Sequence, residues 1–126
     1  MQTDNVIARP DTVVVLGKPY AITYVDKPSE VDIFKRQALW GQIDYWTRTI
    51  RIYGKPPEND ICDVLLHEIL HGIVDELSLR DDLQAGKEEH LVGLLAMALA
   101  DVLERNGWLR IAPPAETTEM EATRAD

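Results

Sequence analysis

Two of the three histidines in this 126-residue chain, His67 and His71, stand four positions apart with Glu68 between them. On a helix that spacing stacks both imidazoles on one face, one turn apart, where they can converge on a single metal ion. Glu68 is rotated about 100° from His67, beside such an ion and not under it. From there its carboxylate can take a proton from water and pass it to a leaving amine. The pattern is H-E-x-x-H, and its ligand types point to one zinc ion per chain, with other divalent metals as competitors. The plain alternative is a structural helix carrying two ordinary histidines.

A catalytic zinc site needs a third protein ligand and an open fourth position. The candidates are Glu88, Glu89 and His90, at the start of a second helical pattern. Val92, Leu95, Ala96, Leu99, Val102 and Leu103 form the apolar stripe of that helix, expected to be buried against the first. Glu88 and Glu89 project towards the stripe, whereas His90 points nearly opposite. A carboxylate on the core side is costly unless it is paired or ligating. Either glutamate therefore fits better than His90. Asp75, one turn beyond His71, can serve as a partner or ligand of the site, but a solvated aspartate near a helix end is the simpler reading.

These residues need a frame. Val13 to Leu16 reads as a strand, Gly17-Lys18-Pro19 as a turn, and Tyr20 to Val25 as the returning strand of a hairpin. Ser29 is placed to start a short helical turn reaching about Lys35. Gly41 to Tyr45 and Thr49 to Tyr53 form a second strand pair. The alternation around Ile50 and Ile52 marks Thr49 to Tyr53 as half-buried and at a sheet edge. After Gly54-Lys55-Pro56-Pro57, the residues Glu58, Asn59 and Asp60 offer helix-start chemistry. Ile61, Val64, Leu65, Ile69, Ile73 and Leu77 then follow a helical period that ends near Ser78. The second helix runs from about Lys87 to Asn106, with Asn106-Gly107 as its stop. Residues 1–112 read as one domain and residues 113–126 as a solvated tail.

Composition narrows the function classes. Apolar residues make up 45% of the chain, as in ordinary globular proteins, and the net charge is −9. An acidic surface repels phosphate backbones and anionic membranes, so neither is an expected partner. Leu91 to Ala100 is too short an apolar run to span a bilayer. The single cysteine, Cys62, excludes an internal disulfide, and the first ten residues lack a signal-peptide core. The expected location is the cytoplasm. Cys62 itself reads as a buried structural thiol. Trp40, Trp46 and Trp108 read as packing residues, and Arg48 and Arg51 as solvent-exposed. Tyr45 and Tyr53 are the available donors for a developing oxyanion.

Leu65-Leu66-His67-Glu68-Ile69-Leu70-His71-Gly72, followed by Glu88-Glu89 and then Val92, Leu95 and Ala96, resembles the minimal zincin-like metallopeptidases of phages and bacteria, a group related in pattern to the ImmA/IrrE peptidases. The likeness extends over residues 38–106. It implies an α+β fold: a small twisted, mostly antiparallel sheet packed on the H-E-x-x-H helix, and a second C-terminal helix. It implies a zinc-dependent hydrolase cutting a protein or peptide substrate, with His67, His71 and Glu89 as metal ligands and Glu68 as general base. It also implies that the edge strand, matched by Thr49 to Tyr53, takes the substrate as an added strand. The alternative is a metal-binding module of the same fold that acts by docking a partner without cutting it.

Overall fold

The computed structural model describes residues 6–84 and 86–111, so the tail expected over residues 113–126 lies outside the described residues. Its elements are β1 (Val6–Ile7), β2 (Thr12–Val15), β3 (Lys18–Val25), β4 (Gly41–Asp44), β5 (Thr49–Tyr53), α1 (Glu58–Glu76), α2 (Lys87–Arg105) and β6 (Arg110–Ile111). The fold is α+β. A four-stranded sheet has the order β2-β3-β5-β4, and β1 pairs with β6 in a short parallel ribbon. The sheet is mixed: β3 and β5 run parallel, while the other neighbours are antiparallel.

The first hairpin turns one step earlier than expected. Leu16 and Gly17 both take positive φ, 49° and 82°. Two such residues make the primed turn whose twist matches the flanking strands. Lys18 and Pro19 therefore already belong to β3, where Pro19 lies opposite Val14.

Thr49–Tyr53 is not an edge strand. It lies between β3 and β4, and Ile50 and Ile52 are wholly buried. Period-two alternation reports which face of a strand is covered; it does not report whether a neighbour pairs on each side. The edge beside α1 is β4 instead. The Tyr53 amide donates to the Trp40 carbonyl. The antiparallel alternation then directs the backbone polar groups of Gly41 and Ile43 off the open edge.

One sheet face carries Tyr20, Ile22, Ile50 and Ile52 against Ile61 and Leu65 of α1. On the opposite face, residues 28–36 pack over Gln42 of β4 and Arg51 of β5. There Pro28–Glu30 forms a 3-10 turn, and Val31 and Asp32 are wholly buried. The Asp32 carboxylate accepts hydrogen bonds from the Phe34 and Arg36 amides and from Nε2 of Gln42. The Phe34 amide bond, with Gln42 and Arg36, holds this carboxyl below the usual aspartate range despite burial. Gln42 is in β4, so Asp32 ties the edge strand to the loop beneath it. Arg51 donates to the Glu30 and Val31 carbonyls from the same face and is engaged structurally. Arg48 pairs with Glu76 at the end of α1, so neither arginine is free on a substrate edge.

α2 packs on α1, but its expected stripe is only partly covered. Val92 and Ala96 are buried and Leu103 is half-buried, whereas Leu95, Leu99 and Val102 are exposed. The apolar pattern is wider than the seam that one neighbouring helix can cover. Trp46 is also no packing residue: it is 96% exposed at the β4–β5 turn. No helix among the described residues is long and apolar enough to cross a membrane.

Candidate metal centre

The middle of α1 faces α2 and carries the histidines; the first turn of α2 carries the acids. Pro57 precedes α1 and Gly86 precedes α2, and Glu88 and Glu89 sit in the positive N-terminal turn of α2. The Nε2 atoms of His67 and His71 are 3.2 Å apart. Glu89 reaches both, with Oε1 2.8 Å from His71 Nε2 and Oε2 3.0 Å from His67 Nε2. His67, His71 and Glu89 thus bring one donor atom each into a single cluster spanning less than 4.8 Å. Ligands about 2.0–2.1 Å from a tetrahedral zinc stand about 3.3 Å from one another, close to these separations.

Hydrogen bonds alone can span the same distances, so the direction of each nitrogen matters. His71 Nδ1 lies 2.6 Å from Oε2 of Glu88. A carboxylate only accepts, which puts the His71 proton on Nδ1 and leaves the Nε2 lone pair facing His67 and Glu89. A lone pair aimed at a carboxylate is repulsive unless a cation or an extra proton lies between them. The donor set therefore fits a divalent metal, with two imidazole nitrogens and a carboxylate as ligands.

Glu88 is the partner of His71, a candidate ligand. Its other oxygen lies 3.7 Å from Arg80, which also approaches Asp75 at 3.7 Å and stacks over the Tyr45 ring at 4.6 Å. Asp75 therefore meets Arg80 and not the histidines. His90 is exposed and joins none of these contacts. Sequence reasoning names Asp75 and Glu88 separately as candidates of the site, but not the arginine that joins them, since Arg80 lies in a connecting 3-10 turn without helical phase.

Glu68 is 7% exposed and lies beneath β4. A Cβ on Gly41 would come within 2.7 Å of Val64 Cγ1 and 2.9 Å of Glu68 Oε2. Glycine is thus what lets the strand backbone lie directly over this acid. Burial pushes the Glu68 carboxyl up to about 7, and Glu89 adds to the effect while His71 opposes it.

Glu68, His67 and Glu89 form the floor shared by two limbs of a groove along β4. One, about 260 Å³, adds Trp40, Asp63, Val64, Gly93 and Met97. The other, about 450 Å³, adds Leu39, Gln42, Tyr45, His71, Arg80 and Glu88. Burial also pushes the Tyr45 phenol up to about 12, so it keeps its proton; it donates to the His71 carbonyl at 3.4 Å. Tyr53 lines neither limb and packs edge-on against Trp40. Cys62 is half-buried on another side of α1, where burial, Glu104 and Asp63 raise its thiol pKa and keep it unreactive. No family model matches this chain, nor does any curated protein or solved structure, so the functional reading rests on the geometry just described.

Proposed function

We propose that this protein is a zinc-dependent peptidase of the zincin-like type, cutting a peptide bond in a protein or peptide substrate. The observation that carries the reading is the coincidence of three things. They are a convergent His67–His71–Glu89 donor set, a buried acid one residue from a ligand, and a groove beside an open strand edge. A bound zinc ion supplies Lewis acidity, which makes water a nucleophile near neutral pH. Glu68 accepts the proton of that water and delivers it to the leaving amine; its low exposure keeps the proton from bulk solvent. The free backbone groups of Gly41 and Ile43 offer an added strand its hydrogen bonds, with the scissile carbonyl set against the cluster. Tyr45, a protonated donor beside His71, is the candidate partner for the oxyanion. Glu88 holds the His71 ring and its tautomer without touching the reacting atoms. We place the protein in the cytoplasm, where a single half-buried thiol stays reduced.

Zinc content measured by elemental analysis on wild type and His67→Ala tests the centre. About one zinc per chain, lost in the variant, is expected. Cleavage of a peptide library by wild type and not by zinc-loaded Glu68→Gln is the second expected result. Zinc without cleavage would leave a metal-binding docking module; no zinc after addition would end both readings.

A further inference from the structure

The two limbs of the groove differ in charge. Arg80 lines the larger limb, already engaged by Asp75 and Glu88. Among the described residues no lysine or arginine lines the smaller limb, yet it holds Asp63 as well as the floor acids Glu68 and Glu89. Asp63 stands one turn before His67 on α1 and is half-buried. Its carboxylate makes no hydrogen bond or ion pair with any described residue. Burial raises its pKa against the pull of His67, which marks the cost of an uncompensated carboxylate there.

The walls around Asp63 are apolar and adaptable. Val64 is half-buried, Trp40 presents a half-exposed indole, and the flexible thioether of Met97 is largely exposed. Gly93 lines the same limb, where a Cβ would stand in ordinary contact with His67 Cε1 at 3.8 Å, so a long side chain at this position would take up part of the space.

We propose that the limb formed by Trp40, Asp63, Val64, Gly93 and Met97 selects a lysine or arginine side chain of the substrate. This specificity rests on the peptidase reading. The methylene stem lies along Val64 and Met97, the cationic head reaches Asp63, and the Trp40 face adds a cation–π contact. The net charge of −9 works in the same direction, drawing cationic peptides to the groove and repelling acidic ones.

The test uses zinc-loaded Glu68→Gln protein, which holds a peptide without cutting it. It is titrated with decapeptides that differ only in a central block of three lysines, three norleucines or three glutamates. The lysine peptide is expected to bind about tenfold more tightly than the norleucine peptide, to shift the Met97 methyl resonance, and to lose its advantage when Asp63→Asn is added. Gly93→Leu, checked for retained zinc, is expected to remove the same advantage by filling the limb. Wild type should cut a peptide library with lysine or arginine enriched at one fixed position from the scissile bond. Equal binding of the lysine and norleucine peptides would overturn the proposal, as would a lysine preference that survives Asp63→Asn. Lysine binding that depends on Asp63, with no cleavage by wild type, would sink the peptidase reading alone. Cleavage that needs Glu68 but shows no basic preference would sink the specificity alone.

Discussion

α1 and α2 are the same length, 19 residues each, but they are held very differently. α1 lies between the sheet and α2 and buries Ile61, Leu65, Glu68 and Gly72. α2 buries only Val92 and Ala96 and leaves Leu91, Leu94, Leu95, Met97, Leu99 and Val102 largely open. The candidate ligands follow the same division. The His67 and His71 side chains are mostly enclosed, whereas the Glu89 side chain is 68% exposed. Two candidate ligands therefore ride on the anchored helix and one on the loosely covered helix. A metal held by the cluster would join the first turn of α2 to α1 and add the restraint that packing there does not provide.

The contrast can be tested from its strongest consequence to its weakest. Leu65→Ala, in the buried seam of α1, should lower unfolding free energy by about 3 kcal/mol, whereas Leu95→Ala in α2 should cost under about 1 kcal/mol, both read by urea denaturation. Equal losses would erase the distinction between the helices.

Glu68 supplies the next effect. Its folded pKa of about 7 lies above the ordinary 4.5. The folded chain thus holds a proton that the unfolded chain releases, and stability falls as pH rises from 4.5 towards 7. Metal-free Glu68→Gln should then be more stable than wild type by about 3 kcal/mol at pH 8, with the gap closing near pH 4. A gap independent of pH would show that ionisation is not its cause. Zinc should lower the Glu68 pKa and shrink the gap.

Glu88→Gln should weaken zinc binding by about 10–100-fold without abolishing it, measured by competition with a chelator. No change would mean that Glu88 does not orient His71. The smallest effect lies at the ends of the helices. Ser78 and Gly107 both take left-handed backbone, and the next amides, of Leu79 and Trp108, close onto Val74 and Leu103. Ser78→Gly should raise stability by about 0.5–1 kcal/mol, a rise of a few degrees in melting temperature.

β2 to β5 and both helices were legible from their apolar patterns and turn residues, and β5 and both helices start and stop within a few residues of their expected positions, whereas β1 and β6, two residues each, are too short to show a period. His67, Glu68 and His71 were legible because their spacing has meaning only on a helix. Glu89 emerged from helical phase and resemblance, and in the structure it reaches both histidines. The order of the sheet was not legible. Ile50 and Ile52 report a covered face, and the parallel pairing of β3 with β5 that puts β4, and not β5, at an edge is a long-range choice. Asp32 carries no signal in the sequence, because its role depends on meeting Gln42 across ten residues. The open side of α2 was missed because amphipathic phase reports the direction of a stripe and not the area of its partner.

Among the described residues nothing pairs with the outer edge of β4, so this edge can also serve as a template for other copies of the chain. An unpaired strand edge will accept any extended segment, including one from a neighbouring chain. A strand of four residues is a short target, and a net charge of −9 keeps the chains apart near neutral pH. That repulsion fades as the solution approaches the isoelectric point near 4.7. Colloidal stability should fail there before the fold does, with strand-edge association leading the loss of soluble protein.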